Sequence, residues 1–152
     1  MSKGKKEIEE KRKAVIIGET FTRLLNPISN EIPELLLPLC GIPIIEYIID
    51  SLASCAINEI IICAKYHRDK LEKYIKKYHK SLHYILYISE DFNSVGDCLR
   101  KVNSEKIISS DFILIRGLTI TNIDLEKLSI TLNEMVISYF LFLFFRILKD
   151  KN

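Results

Sequence analysis

From Ala14 onward, short unbroken apolar blocks alternate with longer stretches in which apolar residues recur every third or fourth place. The blocks AVIIG (14–18), EIIICA (59–64), LHYILYIS (82–89) and DFILIRG (111–117) are β-branched and aromatic, as expected of strands covered on both faces. Between them lie three helical patterns. PIIEYIIDSLASC opens at Pro43, a good first-turn residue, and sets Ile44, Tyr47, Ile48 and Leu52 on one face. HRDKLEKYIKKYH sets Leu71, Tyr74, Ile75 and Tyr78 against a lysine-rich face, with His67 near its start. SVGDCLRKVNSEK is a shorter third helix, and Ser94 with Asp97 is spaced as its N-cap pair. Strands and helices alternating in this order predict an α/β, Rossmann-like fold: a mostly parallel sheet with helices on both faces. Ligands of such sheets bind beyond the carboxyl ends of the strands, where the segment after Gly18 and the segment IRGLTIT both fall.

The chain has 152 residues, enough for one domain with a core. We divide it into a charged leader (1–12), an α/β domain (13–128) and an apolar C-terminal segment (129–152). The leader interleaves lysines with glutamates and contains no apolar run of signal-peptide type, which points to a cytoplasmic protein. With 22 basic and 20 acidic residues the net charge is +2, too small for a general attraction to nucleic acid or anionic membrane. The run MVISYFLFLFFRIL (135–148) is too short for a membrane span, is interrupted by Arg146, and invites association if exposed. Cys40, Cys55, Cys63 and Cys98 form no C-x-x-C pair and read as reduced, small core residues.

Chemistry has one candidate location, the loop after the first strand. Gly18, Glu19, Phe21 and Arg23 are laid out like a phosphate-binding loop whose glycines and lysine are gone. The alternatives are weaker. His79 and His83 have no acidic or cysteine partner at metal spacing, and no histidine stands beside Ser94 in sequence. Tyr47, Tyr74, Tyr78, Tyr84 and Tyr87 read as core or subunit-interface residues.

Gly18, Thr22, Arg23 and Leu24, then Pro33, Leu36, Leu37 and Pro38, then Gly117, resemble the three ordered motifs of the sugar-phosphate nucleotidyltransferase superfamily. A finer resemblance is to the epsilon-type subunits of translation initiation factor two-B. It rests on Phe21, Arg23, Pro27, Ile28 and Ser29, on LLPL (36–39), on SVGDCLR with Ser94, Gly96, Asp97, Leu99 and Arg100, on SDFILIRG (110–117) and on Asn122-Ile123. It runs from about Lys13 to about Leu128. It implies an incomplete nucleotidyltransferase-like domain inside a guanine nucleotide exchange complex, in contact with a gamma-type subunit and translation initiation factor two, with no direct nucleic acid and no membrane partner. Against the motifs, the second and third loop glycines correspond to Glu19 and Phe21, the lysine to Glu34, and the metal-holding aspartate to Leu118. Cradle, cation and metal ligand are therefore expected to be missing, with no catalytic residue, cofactor or metal. Arg23 is expected to tie the loop to a carboxylate or to helix-end carbonyls. The alternatives are an active sugar-1-phosphate nucleotidyltransferase with an unusual loop, and a truncated scaffold without function.

Overall fold

The computed structural model describes residues 12–53, 55, 57, 59–108, 112–123, 127 and 144–145. Strands β1 (Lys13–Ile17), β4 (Glu59–Ala64), β5 (Tyr84–Ile88) and β6 (Phe112–Arg116) form a parallel sheet in the order β5-β4-β1-β6. A two-residue strand, β7 (Phe144–Phe145), adds antiparallel to β6. The strands β2 (Pro38–Leu39) and β3 (Ile42–Pro43) make a small separate hairpin. Helices α1 (Ile44–Ala53), α2 (Arg68–Tyr78) and α3 (Val95–Ser104) join the strands.

The period-two alternation along each strand divides the apolar residues between two cores. Ala14, Ile16, Ile60 and Ile62 face α1 and α2, meeting Ile45, Ile48, Leu71 and Ile75. Val15, Ile17, Ile61 and Cys63 face the other way, toward Cys98 and Val102 of α3. Both faces of the sheet are covered, so the strands read as continuous apolar runs rather than alternating ones.

Three expectations need correction. The buried face of α1 is Ile45, Ile48 and Leu52, not a face led by Ile44 and Tyr47. Ile44 packs half-buried against the same core while giving its N–H to the Leu37 carbonyl at 3.0 Å, and the Tyr47 hydroxyl donates to the Leu39 carbonyl of the hairpin at 2.9 Å. Tyr78 ends α2 and is exposed, stacked against Tyr74 with ring centroids 4.7 Å apart, while Leu71 and Ile75 carry the burial. Cys55, Cys63 and Cys98 are buried as expected, but Cys40 is exposed. It stands with Gly41 at the tip of the β2–β3 hairpin, and both have positive φ, 52° and 82°. Two successive left-handed residues match the right-handed twist of a tight hairpin, and that geometry turns the thiol outward. Of the apolar run 135–148, only Phe144 and Phe145 are among the described residues, and their pairing puts them in the sheet.

Cys40→Asn places Asn-Gly at this tip, the pair that best tolerates two positive φ values. It is expected to raise stability by about 0.5–1 kcal/mol, the scale of relieving one strained position. Urea unfolding should show a higher midpoint at unchanged slope.

Candidate functional site

The carboxyl end of β1 is held from both sides. Gly18 donates its N–H to the Cys63 carbonyl at 2.7 Å, and Gly117, just past β6, donates to the Ile17 carbonyl at 2.6 Å. Leu35, fully buried, closes the space above them. A Cβ on Gly117 would lie 2.7 Å from the Ile17 oxygen, 2.9 Å from Leu35 Cδ2 and 3.0 Å from Gly18 Cα. One on Gly18 would lie 2.9 Å from Leu35 Cδ1. Gly117 is thus required by the approach of backbone to backbone, whereas a side chain at Gly18 would press on the end of the Leu35 side chain.

Pro33, with φ −52° and ψ 136°, starts a single turn of 3₁₀ helix (Glu34–Leu36). That turn drives Leu35 into the core and leaves Glu34 beneath the loop that follows β1. Its carboxylate accepts the Thr20 N–H on Oε2 at 2.8 Å and the Thr20 hydroxyl on Oε1 at 3.0 Å. Glu34 is only 4% exposed. Burial pushes its pKa up, the Thr20 bonds pull the other way, and the nearby Glu19 pushes it up again. Glu34, at the position of the motif's lysine, is folded in, beside the fully buried Leu35.

Other side chains fasten the same end of the sheet. Glu19 accepts the Lys65 N–H on Oε1 at 2.9 Å, and Lys65 Nζ donates to Asn93 Oδ1 at 2.8 Å. His67, the N-cap of α2, meets the Ser29 carbonyl through Nε2 at 2.9 Å. Lys70 Nζ donates to the Glu31 carbonyl. The loops after β1, β4 and β5 are thereby joined by their own polar groups. Thr20, Lys65 and Asn93 were not singled out from the sequence. The only hint was the hydroxyl of Thr20, two residues past the end of a strand.

The remaining predicted positions disperse. Phe21, at φ 57°, packs against the α3-side core. Leu118 lies half-buried in the turn after β6, closed by the Thr119 N–H on the Arg116 carbonyl at 2.9 Å. Arg23 is exposed, and among the described residues its side chain holds no carboxylate or helix-end carbonyl, contrary to expectation. The bend and turn residues that follow it point the side chain to solvent. Leu36 leans on the α1-side core, Leu37 closes the 3₁₀ turn through its N–H on the Glu34 carbonyl at 3.2 Å, and Pro38 begins β2.

Ser94, Gly96, Asp97, Leu99 and Arg100 form a separate structural cluster. Ser94 caps α3 by accepting the Asp97 N–H at 3.2 Å, while Asp97 Oδ2 takes the Asn93 N–H at 3.0 Å and the Ser94 hydroxyl at 2.9 Å. The bond from the Asn93 backbone, then those from Ser94 and Arg100, hold the Asp97 carboxyl below its usual range. Leu99 is half-buried on the α3-side core. His79 has an acidic neighbour after all, brought by the fold from 33 positions away. Glu46 Oε1 meets His79 Nε2 at 2.8 Å and the Tyr74 hydroxyl at 2.6 Å, tying α1 to the end of α2. Burial alone would raise the Glu46 pKa, but the bonds from Tyr74 and His79 together hold it below the usual carboxylate value. Among the described residues no group of three or more His, Cys, Asp or Glu is placed to hold a metal ion. None of their helices is long and apolar enough to cross a membrane.

The family model described as nucleotidyl transferase matches residues 13–108. The chain is similar to translation initiation factor eIF2B subunit epsilon of Dictyostelium discoideum, 33% identical over 78% of this chain and 17% of that protein. It is also similar to the mannose-1-phosphate guanylyltransferase catalytic subunit beta of Xenopus tropicalis, 27% identical over 55% of this chain and 23% of that one. The chain therefore spans about a fifth of the length of these relatives. In fold it superposes on the crystal structure of HddC from Yersinia pseudotuberculosis with a TM-score of 0.66 at 22% identity, covering 80% of this chain and 54% of that one.

Two outcomes follow from the geometry. Gly117→Ala is expected to destabilise by about 1–3 kcal/mol, because backbone cannot yield as a flexible side chain would; thermal unfolding measures it. Glu46, with its lowered pKa, adds stability that is present above the unfolded carboxylate pKa and lost as pH falls through the folded one. Glu34 has the opposite sign: its raised pKa makes stability fall as pH rises through the window between the unfolded and folded values. Glu46→Gln should therefore weaken the loss of stability on acidification, and Glu34→Gln should steepen it, in urea titrations from pH 7 to pH 3.

Proposed function

The chain belongs to the nucleotidyl transferase family, and from that premise we propose that it is a catalytically silent member, a cytoplasmic domain that acts through protein contacts in a translation initiation factor exchange complex. The observation that carries this reading is the Glu34 carboxylate on the Thr20 N–H. Nucleotidyl transfer needs backbone N–H groups free to receive phosphate oxygens, a cation on the leaving pyrophosphate and a carboxylate to hold Mg²⁺. Here one loop N–H is taken by an internal anion, a glutamate stands at the motif's lysine position, and Leu118 stands at the position of the metal-holding aspartate. Removing one preorganised charge typically slows a reaction ~10²–10³-fold, and the losses combine even where they do not add.

The resemblance to epsilon-type subunits supports the setting: a domain within a longer protein, in contact with a gamma-type subunit and with translation initiation factor two. Exchange would lie in domains outside this chain, and residues 13–128 would act as one unit. The second reading is an active sugar-1-phosphate nucleotidyltransferase, favoured by the similarity to the mannose-1-phosphate guanylyltransferase subunit. It requires another lysine and another carboxylate at the strand ends. Lys65 and Lys70 both have their Nζ engaged.

Titration calorimetry with the common nucleoside triphosphates and Mg²⁺ separates the two. Silence predicts no binding, and affinity near micromolar, about −8 kcal/mol, would sink it. In pull-downs, Arg23→Ala should leave subunit association unchanged. Tyr78→Ala and Arg100→Ala, which alter exposed anchors of the types that dominate interfaces, should weaken it by about 1–3 kcal/mol each.

A further inference from the structure

Glu34 is the one charged side chain buried among the described residues, and no lysine or arginine pairs with it there. A buried carboxylate without a cation persists only where donors replace its water. Both donors come from Thr20, its N–H and its hydroxyl, one to each oxygen, a fork that fits any planar carboxylate. Thr20 has contacts besides those with Glu34. Thr20 lies two residues past Gly18, which is fixed by its bond to the Cys63 carbonyl at 2.7 Å, and its hydroxyl also meets Thr22 Oγ1 at 3.2 Å. On the opposite wall the fully buried Leu35 holds the 3₁₀ turn in place.

We infer that Thr20 forms a preorganised carboxylate-binding site in which Glu34 is an internal ligand, and that trimming Glu34 opens this site to a small external carboxylate. The inference rests on the reading of the loop as closed to nucleotide, and it names what closes it. Burial and the like charge of Glu19 push the Glu34 pKa up, and the two Thr20 bonds are what oppose them in favour of the charged form. Glu34→Ala removes two carbons and two oxygens, the heavy atoms of acetate, and leaves both Thr20 donors facing the space.

The test follows the thermal unfolding of the full 152-residue chain in sodium acetate and in sodium chloride at matched ionic strength and pH 7. For Glu34→Ala the midpoint should rise saturably in acetate beyond its rise in chloride, as for any ligand bound only by the folded state. The unchanged chain and Glu34→Gln, whose amide refills the space, should show no difference between the salts. Adding Thr20→Val to Glu34→Ala should abolish the acetate effect. If Glu34→Ala is unfolded in chloride, acetate should restore the helical circular dichroism. Equal behaviour of Glu34→Ala in both salts, an acetate effect that survives Thr20→Val, or failure to fold in either salt overturns the inference. Triphosphate binding by the unchanged chain would instead overturn the silent reading, and the salt comparison would still stand on its own.

Discussion

The approach of Gly117 to Ile17 and Gly18 is the constraint on which the rest depends. It brings the Gly117 nitrogen, just past β6, within 2.6 Å of the Ile17 carbonyl oxygen, and Leu35 packs against both glycines. With Leu35 seated, the 3₁₀ turn has one orientation, and Glu34 has one place to put its carboxylate. The hairpin and α1 follow from the same turn, since the Leu37 carbonyl receives the first helical N–H of α1. A side chain at either glycine would disturb core, loop and hairpin together.

At the strand-end face the loops are fastened to one another by their own polar groups. In this architecture the ends of parallel strands usually offer backbone N–H groups to a ligand. Here the Thr20 and Lys65 N–H groups receive the carboxylates of Glu34 and Glu19, and Lys65, His67 and Lys70 reach across to neighbouring loops. Unmet backbone donors are costly when buried, so these two N–H groups need acceptors. Glu34 and Glu19 supply them.

The fold was legible because strands buried on both faces and amphipathic helices leave unmistakable periods, and the β1, β4, β5 and β6 blocks appear nearly where the sequence places them. The Ser94–Asp97 cap was legible because caps are local. The arrangement at the strand ends was not legible. Glu34 read only as a residue at the motif's lysine position, because the sequence does not show that Leu35 next to it would be fully buried. The bond to Thr20 crosses 14 positions and that between Glu46 and His79 crosses 33, separations at which spacing carries no information. Arg23 read as a tether for lack of any sign that its turn faces water. Cys40 read as core because thiols usually are, whereas the two-residue turn it occupies decides its exposure.

That turn has a practical consequence. Cys55, Cys63 and Cys98 are all buried, so a maleimide dye offered to the native chain meets a single reactive sulfur, at the hairpin tip. The tip is joined to the α1 side of the molecule through Tyr47 and lies only a few residues beyond Glu34. The unaltered sequence therefore carries a built-in labelling position, from which fluorescence anisotropy can follow the chain into any larger assembly without an added tag.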